Sequence, residues 1–401
     1  MTIRHLYPAV EPSLNLDFAN SKRLDPRITF TRASTGTYTD ESGIIRTAAQ
    51  DEARFDHDGD GNSLGLLIEE SRTNLTTNSG DFSGWQTFNT TTLTDQVSAP
   101  DGTTTADLIY PSSTGTYRAV RKYHALSAGS YVTSIFAKSN GINFLTIGDL
   151  GSSQYRAWFD LQNGSVGDVA SGYSATIQRF PNGWCRCSLF HSAELTGWFY
   201  VGLADSNGST TATASGTNGI YIWGAQLEAG SFPTSYIPTS GSTVTRSADV
   251  ASMTGTNFSS WYNQDQGTFT LKTSALKSGA GGSLLLGGIS GAGYGEIEIF
   301  NNITEVWFID YLNSPFRKIS HDVSVGENII SASYDNQTAQ AIAVNGTVST
   351  TSQAFTANTN IITGITLMYR NPAGLQTTGH ISRLTYYPVR LPDATLQALT
   401  L

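Results

Sequence analysis

Asn-Gly dipeptides recur along the chain, among them Asn163-Gly164, Asn182-Gly183, Asn207-Gly208 and Asn345-Gly346, and they punctuate apolar residues that come in short alternating runs. Both residues of such a pair tolerate the positive φ that a two-residue hairpin turn demands, so the pairs mark places where one strand folds back on the next. Runs such as "GSYVTSIFAKS", "QYRAWFDLQNG", "GWFYVGLADSNG" and "AIAVNGTV" keep the two-residue period of a half-buried strand. Long amphipathic stretches of helical period are scarce. The chain is therefore expected to be all-β and of the sandwich kind. The spacing of the runs follows no fixed period, which argues against a solenoid.

A length of 401 residues exceeds what one core accommodates, so two or three domains are expected. Lys and Arg total 23 against 32 Asp and Glu, a net charge of −9 with no basic cluster. Counterion release at a phosphate backbone needs clustered cations, so nucleic acid is not an expected partner. The opening "MTIRHLYPAVEP" has no apolar run behind its charges, and no stretch reaches bilayer length. A soluble protein made in the cytoplasm is the expectation, with no membrane partner. The cysteines, Cys185 and Cys187, alternate in "GWCRCSL" and are expected to be two small buried side chains.

Three regions separate along the chain. Residues 1–75 are the most charged, residues 76–245 open with "NSGDFSGWQTF", and residues 246–401 begin at "RSADVASMTG". The boundary between the last two is "IYIWGAQLEAGSFPTSYIPT", a strand running into a linker. Pro233 and Pro238 would stop pairing there and stiffen the path, with Tyr236 pinning it to a domain surface. A second topology fits as well: "LNLDF" near the N-terminus and the third region could form one sandwich with the middle region inserted.

"LDPRITFTRASTGTYTDESGIIRTAAQDEARFDHD" followed by "LGLLIEESRTNL" resembles the N-terminal module of tailed-bacteriophage structural proteins, fibre and spike components among them. The middle region, through "DFSGW", "NGWCRCSL" and "IYIWGAQLEAGSFPTSYIPT", resembles jelly-roll carbohydrate-binding modules. The last region, through "GTFTLKTS" and "ISRLTYYPVRLPDATLQALT", resembles concanavalin A or laminin-G sandwiches. The resemblance implies tandem β-sandwiches, a jelly roll and a concanavalin A-like sandwich, behind a small β-rich virion-docking region. It further implies a homotrimeric virion protein on head or tail, with host-surface polysaccharide and other virion proteins as partners.

Chemistry-bearing residues are few. Asp56, Asp58 and Asp60 alternate before Gly61, as in the first half of a calcium loop, but Leu67 stands where the bidentate Glu belongs. Calcium at these three is one reading, an acidic hairpin tip the other. "GEIEIFNN" is similar to a glucanase strand motif at Glu296 and Glu298, yet Asn301 replaces the carboxylic acid that must protonate the leaving group. No nucleophile elbow, phosphate loop or zinc-protease motif occurs, so no enzyme is expected. Binding has better material. In "SQYRAWFDLQ" a core face of Tyr155, Ala157, Phe159 and Leu161 leaves Arg156 and Trp158 on the opposite side. In "TGWFYVGLA" Phe199, Val201 and Leu203 leave Trp198 and Tyr200 turned away. Aromatic rings beside donors suit a sugar's C–H face and hydroxyls, and they suit a subunit interface equally. Trp184 and Trp223 are assigned to packing.

Overall fold

The computed structural model describes residues 8–148, 155–193, 196–276, 282–287, 297–302, 305–310, 317–322, 326–335, 339–351, 362–370 and 375–401. Strands dominate, as the alternation requires, and among the described residues no helix is long and apolar enough to cross a membrane. Residues 76–229 form a sandwich of two six-stranded sheets. One has the order Ser174–Arg179, Cys185–Ala193, Gly129–Asn140, Gly219–Ala229, Ala106–Pro111, Thr90–Val97. The other has the order Ser165–Val169, Tyr155–Asp160, Phe144–Gly148, Thr196–Ala204, Arg118–Ala125, Gln86–Phe88. Ile135, Leu189, Ile222 and Leu227 of the first meet Val120, Leu145, Phe159, Phe199 and Val201 of the second. Cys185 and Cys187 are buried in this core as free thiols, as expected.

A second sandwich uses both ends of the chain. Its eight-stranded sheet runs Thr347–Thr351, Ala339–Val344, Asn328–Asp335, Gln266–Leu276, Thr378–Tyr387, Ser63–Ile68, Arg54–His57, with Leu14–Asp17 also on Thr378–Tyr387. Its seven-stranded sheet starts with Thr29–Thr31 beside Val250–Thr254. Leu14 pairs with Tyr386 and Leu66 with Ile381, and Phe30, Leu66, Met253, Phe269 and Tyr386 share one core. The sheets thus cut across the three consecutive regions: strands within 1–75 complete the sheets of 246–401 rather than forming a separate small module. Apolar faces too short to bury themselves are buried on the long strands of the other end.

The chain leaves and re-enters this second sandwich through one neck. Arg72–Asn74 pairs antiparallel with Val244–Arg246. Asn74 uses its whole amide there: Nδ2 donates to the carbonyls of Ala225 and Ile237, and Oδ1 accepts from the N–H groups of Thr76 and Leu227. Tyr236 pins the linker, its hydroxyl 2.6 Å from Ser79 Oγ and its ring packed on Trp223 and Phe136. Gly224 makes room for that ring. Its φ is +64°, and a Cβ there would lie 2.9 Å from Phe136 and 3.3 Å from Tyr236. Trp184 and Trp223 are buried in the same cluster, which also takes Ile45 from the Gly36–Thr39/Ile45–Ala48 hairpin.

Beside the neck lies a buried charge network. Asp249 accepts from Arg32 at 3.1 Å and also pairs with Arg54, while Glu69 takes Arg54 at 2.7 Å and Arg246 at 3.0 Å. Ser235 donates to Glu69 through both N and Oγ, and the Glu69 N–H donates to Asp249. Removing one member strands its partners as uncompensated buried charges. Asp249→Ala is therefore expected to destabilise the protein by about 3–5 kcal/mol, read from denaturant unfolding.

Burial works against ionisation of Glu69, but the charges of Arg246 and Arg54 and the Ser235 donors outweigh it and hold its pKa at about 2, against an ordinary 4.5. A carboxyl depressed in this way contributes stability that is full above pH 4.5 and is lost as pH falls toward 2. The difference is worth about 3 kcal/mol. Unfolding free energy should drop by about that much between pH 5 and pH 2, and Glu69→Gln, less stable at pH 5, should show a shallower drop.

Candidate functional site

The second sheet of the middle sandwich turns its outer face away from the core. Cross-strand registers fix which residues meet on it. Trp158, Thr146, Gly202, Ala119 and Phe88 form one row across five strands, with Arg121 opposite Tyr200 and Tyr123 opposite Trp198 alongside. Large rings stand at the ends of the row and small residues at its centre. Trp158, Trp198 and Tyr117 pack over Ala119 and Tyr200.

Core-facing residues of the two singled-out strands lie as expected: Ala157, Phe159, Leu161, Phe199, Val201 and Leu203 are buried in the sandwich. The side chain of Tyr155 lies outside the described residues. Trp198 and Tyr200 share the outer face, and so does Trp158, two strands away across Phe144–Gly148. One expectation needs correction. Tyr200 is only 5% exposed, so it is floor rather than platform. The Arg156 guanidinium lies 5.3 Å from the Tyr173 ring.

The arginine at the centre of the face is Arg121. Its Cζ stands 4.3 Å from the Trp198 ring, 5.5 Å from Phe88 and 5.6 Å from Tyr200, and Nη1 donates to the Tyr200 hydroxyl at 2.9 Å. Tyr123, edge-on to Trp198 at 5.4 Å, is 54% exposed, and Phe88 is 39% exposed. Arg121 escapes sequence reasoning because "RAVRKYHA" puts polar residues on both faces of its strand. Lys122 on the other face reaches Thr77, and burial followed by the Lys122 charge pushes His124 down to about 4.

Trp158 is held from the side: Nε1 donates to Ser209 O at 2.7 Å, and the Tyr117 N–H donates to Thr210 O at 2.8 Å. Asn207 anchors the same segment to Asp168 through two 2.7 Å bonds. The Trp158 edge of the face is thereby tied to the segment 207–210.

The calcium reading does not hold. Asp56 accepts from the Thr39 N–H and from His380 Nε2 at 2.9 Å, with Ser274 Oγ on the other ring nitrogen at 3.2 Å. Asp58 accepts from the N–H groups of Asp60 and Asn62 and from the Asn62 amide, closing a hairpin tip. Asp56 thus ties sheet strands together while Asp58 serves the turn. Among the described residues no three His, Cys, Asp or Glu side chains are placed to hold a metal ion. Glu296 lies outside the described residues, as does the side chain of Glu298.

No family model and no curated protein matches the chain. Part of it resembles solved carbohydrate-binding modules and sialidases. The CBM40 module of the Ruminococcus gnavus IT-sialidase, solved with α2,3-sialyllactose, is 20% identical over 36% of this chain and 86% of that one, with a TM-score of 0.32. The NanB sialidase from Streptococcus pneumoniae is 17% identical over 36% of this chain and 26% of its own, also at 0.32. A structure described as a receptor binding domain is 13% identical over 38% and 39% of the two chains, at 0.31.

Trp158→Phe keeps a ring on the face but removes the donor to Ser209. It should cost about 1 kcal/mol of stability and speed amide exchange at Tyr117, measured by hydrogen–deuterium exchange.

Proposed function

We propose that this chain is a bacteriophage virion component, a fibre or spike subunit, that binds host-surface glycans through the outer face of its middle sandwich. The virion setting and a trimeric assembly rest on the sequence resemblance. The binding role rests on one observation: Arg121 seated among Trp198, Tyr200 and Phe88, with Tyr123 exposed beside it. Rings offer an apolar surface to the C–H face of a sugar, and the guanidinium and phenol hydroxyls offer hydrogen bonds to its oxygens. No bond-breaking step is assigned to the face. Single weak sites on several copies of a fibre would sum to tight attachment without new contacts.

The exposed Tyr123 and Phe88 also suit a contact between copies of the chain, since tyrosine and phenylalanine are enriched in interface cores. The two readings part in one experiment. Trp198→Ala and Tyr123→Ala proteins are compared with wild type for retention on host cells and on their extracted surface polysaccharide. Mass by light scattering is recorded for each. The glycan reading expects retention to fall about tenfold or more, with mass and melting temperature held and no oligosaccharide released. A fall in mass at unchanged retention would assign the face to subunit contact, and released oligosaccharide would make the protein a depolymerase.

A further inference from the structure

Resting on that reading, we infer that the glycan carries a carboxylate, and that Arg121 is the residue that recognises it. A guanidinium has five N–H donors in a rigid fork, and proteins ordinarily satisfy them. The buried arginines of this chain show how. Arg32, Arg54 and Arg246 meet the carboxylates of Asp249 and Glu69, and Arg118 donates to the carbonyls of Ser113, Thr114 and Thr116. Arg121 differs. Among the described residues its one hydrogen bond goes to the neutral Tyr200 hydroxyl, and no carboxylate pairs with it.

Three rings hold this charge in place. Stacking on an aromatic face compensates part of the lost hydration, and it fixes the plane of the fork in advance. A pre-oriented, partly desolvated guanidinium gains most from an anion, because charge-assisted bonds to a carboxylate are about twice as strong as neutral ones. Among the described residues of this sheet, Asp160 is committed to Asn163 and Asp168 to Asn207. A sugar acid meets both halves of the site: its ring lies on Trp198 and Tyr123 while its carboxylate faces the fork. A neutral sugar would leave the fork unmet.

The test is a glycan array that prints each carboxylate-bearing oligosaccharide beside its carboxyl-reduced counterpart, probed with wild-type, Arg121→Gln and Arg121→Lys proteins of matched melting temperature. Wild type should bind acidic members at least about tenfold more tightly than their reduced forms. Arg121→Gln should lose that preference, and Arg121→Lys should recover only part of it because an ammonium lacks the fork. Raising salt from about 0.05 to 0.5 M should weaken wild type and leave Arg121→Gln unchanged. Equal binding to acidic and reduced members would overturn the inference while leaving the glycan reading standing. Binding to sulfated or phosphorylated members alone would also overturn it, and binding to no member would count against both.

Discussion

Everything in this fold converges on the ion-pair network of Arg32, Asp249, Arg54, Glu69 and Arg246. Its members come from separate stretches: Arg32 and Arg54 from the N-terminal region, Glu69 from just after the strand Ser63–Ile68, Arg246 and Asp249 from the end of the neck and beyond it. Ser235, from the linker, joins through Glu69. Taking these charges out of water is expensive, and the cost is offset only when every partner is in place. The network therefore tolerates one mutual arrangement of N-terminal strands, linker and returning chain. A hydrophobic contact would let those segments slide; charges with fixed donors and acceptors do not.

That fixed junction explains how a sandwich of over 150 residues can be inserted into another without loosening it. The leaving and returning strands pair with each other, Arg72 opposite Arg246 and Asn74 opposite Val244. Asn74 then bonds both to the last strand of the inserted sandwich and to the linker. Tyr236 fills the remaining space against Trp223, and Gly224 is the concession that lets it in. The aromatic face lies on the other sheet of the inserted sandwich, so its surface is not consumed by the junction.

How much of this was legible follows from the range of each signal. Alternation and turn residues are local, and they correctly give a β-rich chain, two buried cysteines, and the inward and outward faces of Tyr155–Asp160 and Thr196–Ala204. Sheet membership is not local. Leu14 pairs with Tyr386 and Leu66 with Ile381, partners set by the closure of a core hundreds of residues apart in sequence. Nor does composition distinguish a buried arginine from a solvated one. The charged stretches "TRAS", "EARF", "LIEES" and "TRSAD" look like surface in sequence, yet their Arg32, Arg54, Glu69, Arg246 and Asp249 are buried. The aspartates at 56, 58 and 60 mislead for a related reason. Their alternation is that of a cation loop, but pairing across the sheet gives Asp56 to His380 and Thr39 and leaves Asp58 to the turn.

Arginine has two opposite uses in this molecule, and the difference is one of partners rather than burial alone. At the junction each guanidinium meets carboxylates or carbonyls through its terminal nitrogens, which hold the chain together. On the outer face Arg121 is held by rings, with one donor given to the Tyr200 hydroxyl. A ring can orient a guanidinium because its negative face attracts charge, yet it accepts no conventional hydrogen bond in the plane of the fork. The first arrangement maximises stability. The second leaves recognition capacity at the surface, and it forms only where a flat strand pair places aromatic residues directly beside an arginine, as the Arg121–Tyr200 and Tyr123–Trp198 registers do.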